Sequence, residues 1–289
     1  MVHLEELAAL DLLLWVGTGQ EAARRLQCNQ STISRRVACC QAVFALKMGR
    51  RHGEWHLHDR DRLIDAERVV HQQHRLRLQR GLRLEACNWA GRVLAEPLPP
   101  AWQPGGFDQL SLRRPLQLLK NRVIDAWLTN HGQELQGRGD LVRYEICRMP
   151  TWLMADRLHP LAGARGLLAA DLAGFPTLQF AAGLFPWFEN RLQERGLWGD
   201  AARSRHYRRE EWEGRTADQL TLCTGNLLGR ALDPEGPVVL DWDLGLESIL
   251  VLAVLPDLAE HPAILELLEL LRQRWRALRA PPAGDRECA

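Results

Sequence analysis

Between Glu21 and Val37 the chain reads Glu21-Ala22-Ala23-Arg24-Arg25-Leu26-Gln27-Cys28-Asn29-Gln30-Ser31-Thr32-Ile33-Ser34-Arg35-Arg36-Val37. Amides, hydroxyls and guanidinium groups cluster at Gln30, Ser31, Thr32, Ser34, Arg35 and Arg36. Such groups bond base edges in a DNA groove, and Arg also grips guanine or phosphate. A helix must present them on one face. Thr18 and Glu21 stand in the Ser/Thr-x-x-Glu spacing that satisfies the free amides of a helix start. Ala22, Ala23 and Leu26 fall on one face of that helix, and the two alanines let another helix cross closely. Cys28 is expected to plug the turn, and Asn29 to cap the next helix. Ile33 and Val37, four apart, are expected to face inward. The pattern predicts a helix-turn-helix with its second helix in the major groove.

Charge supports this reading. Arg24 to Arg51 holds seven Lys/Arg (24, 25, 35, 36, 47, 50, 51) and no Asp or Glu, while the whole chain carries only +1. The positive potential is therefore local, as phosphate binding requires. Arg50 and Arg51 fall in a predicted wing over Lys47 to Leu57, with a turn expected at Gly49 and Gly53. The structural alternative is an amphipathic helical hairpin with solvated arginines.

Around this motif, Leu4, Leu7, Leu10, Leu14 and Trp15 fit a first helix packed on it. From Asp59 to Arg80 there is no Pro or Gly, and Leu63, Val70 and the 76–78 cluster are spaced like a helix seam. Gly81 breaks it. Leu82, Leu84 and Ala86 then alternate with Arg83 and Glu85, a strand signal. Asn88 to Glu96 reads as a helix, Leu110–Leu112 as a short strand, Pro115 to Asn121 as a helix, and Val123–Leu128 and Trp152–Ala155 as strands. Pro262 to Leu278 reads as a final helix with Ile264, Leu267, Leu268, Leu271 and Trp275 on one side. The tail from Pro281 is expected to be disordered. Alternating strands and helices imply an α/β unit.

The N-terminal segment resembles the LysR-type transcriptional regulators on Gly17-Thr18, Ala22-Ala23-Arg24-Arg25-Leu26 and Asn29-Gln30-Ser31-Thr32-Ile33-Ser34-Arg35. Two further patches are similar in the same order, His159-Pro160-Leu161-Ala162-Gly163 with Asp171-Leu172-Ala173-Gly174-Phe175-Pro176, and Ala259-Glu260-His261-Pro262-Ala263. The chain departs from the family pattern at Gly19, where an aromatic is usual, and over Cys39 to Phe44, which lacks the usual acidic residues. The resemblance implies an N-terminal helical winged helix-turn-helix (1–58), a linker and dimerisation helix (59–81), and an α/β effector domain (82–289). That domain would be two-lobed and like periplasmic binding proteins, lobe I about 82–150 and 246–280, lobe II about 151–245. Small-molecule effectors then sit at strand ends, here Cys87, Asn88, Trp89, Asn130, His131, Gln179, Phe180, Thr224 and Asn226. Asn88 and Trp89, at a helix start, offer free amides. The expected partners are a palindromic double-stranded operator, an effector, and further copies of the chain as homodimer or homotetramer. The alternative is a ligand-independent regulator acting through protein contacts.

Other classes lose ground. There is no Gly-rich phosphate loop, G-x-S-x-G elbow or H-E-x-x-H, so no enzyme is expected and no cofactor is implied. The seven cysteines (28, 39, 40, 87, 147, 223, 288) are scattered without a C-x-x-C pair. That argues against a disulfide framework and a zinc site, and leaves oxidation sensing as a minor alternative. His52, His56 and His58 in the wing, and His71 and His74 beyond it, read as surface histidines near phosphate, not metal ligands. No apolar run reaches the ~18 residues of a membrane span. Glu5, Glu6 and Asp11 spoil a signal-peptide reading of the first helix, so a cytoplasmic protein is expected.

Overall fold

The computed structural model describes residues 2–51, 53–58, 62–178, 183–197 and 219–279. The helices are α1 (Leu4–Val16), α2 (Gly19–Arg25), α3 (Gln30–Val43), α4 (Arg62–Leu78), α5 (Asn88–Ala90), α6 (Arg113–Lys120), α7 (Ala169–Leu172), α8 (Pro186–Glu194), α9 (Leu227–Leu232) and α10 (Pro262–Arg279). The strands are β1 (Met48–Arg51), β2 (Glu54–Leu57), β3 (Leu82–Ala86), β4 (Trp102–Pro104), β5 (Ala126–Thr129), β6 (Val142–Ala155), β7 (Cys223–Gly225), β8 (Val238–Val239) and β9 (Leu246–Val254). Among the described residues, no helix is long and apolar enough to cross a membrane. The chain divides into two compact units.

Unit 1 comprises Met1–Glu85, Leu98–Gly106 and Arg114–Trp127. Ile33, Val37 and Cys40 form the buried stripe of α3, and Ala22 and Ala23 that of α2, as their spacing predicts. The helices α1, α2 and α3 pack on one another. The wing is the antiparallel pair β1–β2, closed by Arg51↔Glu54, with Gly53 at φ +84°. That is a left-handed conformation which glycine adopts at little cost. Gly49 is not a turn residue. It pairs with His56 inside the hairpin, and a Cβ there would strike the His58 ring.

Within unit 1 the strand order is β4-β3-β5. β3 pairs in parallel with β4 through Leu82↔Trp102 and Leu84↔Pro104. Pro104 lacks an N–H to give the ladder, which an edge strand tolerates. Arg83 and Glu85 alternate with apolar residues as a solvent face would, yet both are buried. Arg83 bonds the Val123 carbonyl at 2.8 Å, and the Trp15 indole N–H donates to Glu85 at 2.7 Å. Polar partners brought from elsewhere in the chain permit this burial.

Unit 2 comprises Ala86–Pro97, Phe107–Arg113 and Leu128–Ala289. Its spine is β6, far longer than the predicted Trp152–Ala155. β6 pairs antiparallel with β9 from Val142↔Val254 to Thr151↔Leu246, with an irregularity between Glu145 and Cys147. It then pairs with β7 and β8. Leu153, Leu172, Leu192, Leu222, Leu240 and Leu246 close a core over the last part of β6. The predicted helix over Asn88 to Glu96 begins as α5 and continues as a π-helical turn, Gly91–Ala95. Its last carbonyls, Leu94 and Ala95, and that of Pro97 accept from the Arg274 guanidinium of α10 at 2.7–2.9 Å. Leu110–Leu112 is not a strand. The run makes no ladder, and the Leu110 carbonyl instead accepts from His131 Nε2 at 3.2 Å. The tail from Pro281 lies outside the described residues.

Candidate functional site

Two sites emerge, one in each unit. The first is the outer face of α3. Gln30, Ser31, Ser34 and Arg35 are exposed, Thr32 and Arg36 half-buried, and Thr18 is exposed at the start of α2. Thr18 Oγ1 accepts from the Glu21 N–H at 3.2 Å, the expected cap. Glu21 does not return the bond. Its carboxylate takes Arg24 at 2.6–2.7 Å and Arg25 at 2.8 Å. The hydrogen bond from Arg24 pulls Glu21 well below the ordinary carboxylate range, to about 2. Asn29 stands at the N-cap of α3, but its side chain makes no capping bond. Cys28 is half-buried in the turn, with Arg36 Nη1 at 4.0 Å. Gln30 lies against Gly19: a Cβ there would meet its Cγ at 3.2 Å and its Nε2 at 3.3 Å. The departure from the usual aromatic thus makes room for an amide of the predicted reading face.

Ion pairing sorts the seven cations of the basic segment. Arg24 and Arg25 share the single carboxylate of Glu21, and Arg36 pairs with Glu5. Arg35, Lys47, Arg50 and Arg51 are exposed and have no carboxylate partner among the described residues. Arg50 Nη2 donates to the Gly17 carbonyl at 3.0 Å, and its guanidinium lies 5.1 Å from the Trp55 ring centre. The wing arginine is therefore held beside the start of α2. Arg114 braces the wing from beneath, donating to the carbonyls of Trp55, at 2.7 Å, and Leu14. Sequence reasoning missed Arg114, because nothing local marks an arginine 59 residues downstream of its partner.

The histidines divide. His56 Nε2 lies 3.6 Å from Glu54 in the wing, and His74 is exposed, but His71 is buried in α4 and is no surface residue. His52 lies outside the described residues. Four of the thiols are poor candidates for redox chemistry, which needs accessible thiolate. Burial pushes Cys40, Cys147 and Cys223 up to about 12. A hydrogen bond with Glu6 raises Cys39.

The second site is an aromatic-lined cleft in unit 2. Of the predicted effector residues, Trp89, Asn130, Thr224 and Asn226 line it. Cys87 and Asn88 are buried but are not on its wall. His131 stands behind the wall, stacked on Phe185 at 4.2 Å between ring centres. Gln179 and Phe180 lie outside the described residues. Asn226 Oδ1 caps α9, accepting the amides of Leu228 and Gly229 at 3.0 and 3.1 Å. Asn130 Oδ1 is buried without a hydrogen-bond partner. The unpredicted walls include Glu134, Thr151, Phe185, Trp187, Phe188 and Glu247. The run Phe185-Pro186-Trp187-Phe188 was a visible signal, three aromatics around a helix-starting Pro. Glu134 and Glu247 had none, since β6 and β9 must pair before the two come near one cleft.

The arrangement is that of a winged helix-turn-helix with an α/β part that carries a ligand-sized cleft. No family model matches the chain. A curated relative from Synechococcus elongatus, described as a "Probable nitrogen assimilation transcriptional activator", is 25% identical over 219 residues, 68% of this chain and 70% of the relative. Among solved structures, a full-length OxyR variant from Pseudomonas aeruginosa matches with a TM-score of 0.55 at 16% identity, covering 96% of this chain and 98% of its own. ArgP from Mycobacterium tuberculosis matches with a TM-score of 0.53 at 16% identity, covering 95% of this chain and 97% of its own. Both are LysR-type regulators. The resemblance drawn from the sequence therefore holds as a fold over nearly the whole chain, an N-terminal winged helix-turn-helix with a two-lobed α/β part like periplasmic binding proteins.

Proposed function

We propose that the chain is a DNA-binding transcription regulator that reads a palindromic operator as a homodimer or larger assembly and responds to a small molecule in the unit 2 cleft. The carrying observation is the exposed face of α3, with Gln30, Ser31, Ser34 and Arg35, beside Lys47, Arg50 and Arg51, none of these four cations having a carboxylate partner among the described residues. Gln30, Ser31, Ser34 and Arg35 are assigned to base edges, and Thr18, Thr32, Arg50 and Arg51 to phosphates and groove walls. Arg36 is bound to Glu5, so it reaches DNA only by exchanging that carboxylate for a phosphate. Residues 1–58 are assigned to DNA binding, 59–81 to the linker and subunit pairing, and 82–289 to regulation. Effector binding would favour one arrangement of the regulatory part and so alter operator spacing or bend. A non-enzymatic, cytoplasmic role accords with this reading.

The test starts by selecting bound fragments from the host genome and measuring affinity by gel shift. Arg35→Ala should weaken operator binding by about 1–3 kcal/mol and relax preference at one base position. Arg24→Ala, whose charge is already paired with Glu21, should change operator binding far less than Arg35→Ala. Equal losses in the two variants, or none in Arg35→Ala, would overturn the assignment.

A further inference from the structure

We propose that the unit 2 cleft takes an organic cation, an ammonium group on an apolar body the size of one aromatic ring, and discriminates against carboxylates. This narrows the ligand class on the reading of that cleft as the effector site. The wall carries two carboxylates, Glu134 and Glu247, and among its described residues no Lys or Arg. His131 lies just behind, its Nδ1 3.8 Å from Glu134. Arg148, on the strand beside Glu247, commits its guanidinium to Glu145 at 2.8 and 2.9 Å. Arg191 lies over the Trp187 ring, 5.8 Å from its centre, but is paired with Glu194 at 2.9 Å, so a carboxylate ligand would meet wall carboxylates with no uncommitted cation to offset its desolvation.

The remaining wall favours a cation for a second reason. Trp89, Phe185, Trp187 and Phe188 line the same cleft. Aromatic faces carry negative potential and attract ammonium groups, most strongly where water is excluded. Phe185 is held in place by its stack on His131, and the Trp89 indole packs against Gly229, where a Cβ would lie 3.4 Å from the ring. The third reason is Asn130 Oδ1, a buried acceptor on this wall that no protein group satisfies. A primary or secondary ammonium has an N–H to give it, and a carboxylate has none.

The experiment uses the full chain and three probes of similar shape: 2-phenylethylammonium, 2-phenylethanol and 3-phenylpropanoate. Binding is read by calorimetry and by saturation-transfer NMR. The amine should bind about tenfold or more tighter than the alcohol, with the acid weakest. Glu134→Gln should remove most of the amine's advantage over the alcohol. Glu247→Gln, at an exposed position, repeats the test where folding is not at stake. An acid or alcohol that binds as well as the amine overturns the cationic preference and leaves the effector cleft standing. If none of the three binds, both readings fall. If Glu134→Gln weakens all probes alike, Glu247→Gln decides: an unchanged amine preference there overturns the proposal.

Discussion

His71 lies in α4 with its ring buried, and Glu67, at 3.8 Å, is too distant for a hydrogen bond. Burial holds its pKa below the ordinary 6.5 and outweighs the opposing pull of Asp11 and Glu67, while Arg75 and Arg83 add to the lowering. The unfolded chain therefore takes up a proton near pH 6.5 that the folded chain refuses. Stability contributed by the neutral ring is present above pH 6.5 and is lost as pH falls from there toward the folded value. Urea unfolding at pH 7.5 and 5.5 should show a loss at the lower pH, and His71→Gln should shrink that loss. An equal loss in the variant would locate the acid sensitivity elsewhere. At this scale the sequence was legible for α3, where inward Ile33 and Val37 and outward Gln30, Ser34 and Arg35 follow one helical period. It misled at His71, because a helix period gives faces but does not say which histidine a neighbouring element covers.

Among the elements, α4 is the least satisfied by its own unit. Leu63, Val70 and Leu78 are 64%, 62% and 57% exposed, and Leu63 and Val70 lie two turns apart on one face. The opposite side is engaged, with Arg68 donating twice to Asp11 at 2.7 and 2.9 Å. An exposed apolar stripe opposite a buried charged one fits a second copy of the same helix. Val70→Glu should shift the full chain toward monomer in sedimentation equilibrium and lower Tm only by what association itself supplies, since the residue covers no core of its own unit. An unchanged dimer would remove α4 from the interface. The stripe of Leu63 and Val70 was legible because apolar spacing within one helix is local, whereas Leu76 of the predicted 76–78 cluster is buried in its own unit. β4 and most of β6 were not. Prolines at 97, 99, 100 and 104 read as punctuation, and Val142 to Thr151 mixes charge with apolar residues because one face, with Cys147, Met149 and Thr151, is buried while Arg148 and Pro150 on the other are exposed.

At the scale of the molecule, unit 1 is held by a buried charge network that the sequence could not disclose. Asp125 is fully buried and accepts from Gln72 at 2.9 Å, Arg75 at 2.8 and 3.3 Å, and the Arg83 backbone N–H at 2.8 Å. Asp11 holds Arg68, with Arg83 at 3.8 Å. Burial lowers the Arg83 pKa, Arg75 adds to that, and Asp11 and Asp125 oppose it. Removing one member leaves the others charged and unpaired in a dry site. Asp125→Ala should therefore cost about 3–5 kcal/mol in urea unfolding, against under about 1 kcal/mol for the solvated pair in Arg276→Ala. A loss that small for Asp125→Ala would mean that water reaches the site. The network joins residues 40 to 57 positions apart, beyond any local pattern. It also governs how this chain could be recombined. A hybrid in which residues 1–81 are spliced to a foreign sensor would strand Gln72 and Arg75 with their acceptor gone. Any transplant of the reading head must carry Leu82–Glu85 and 122–125 with it.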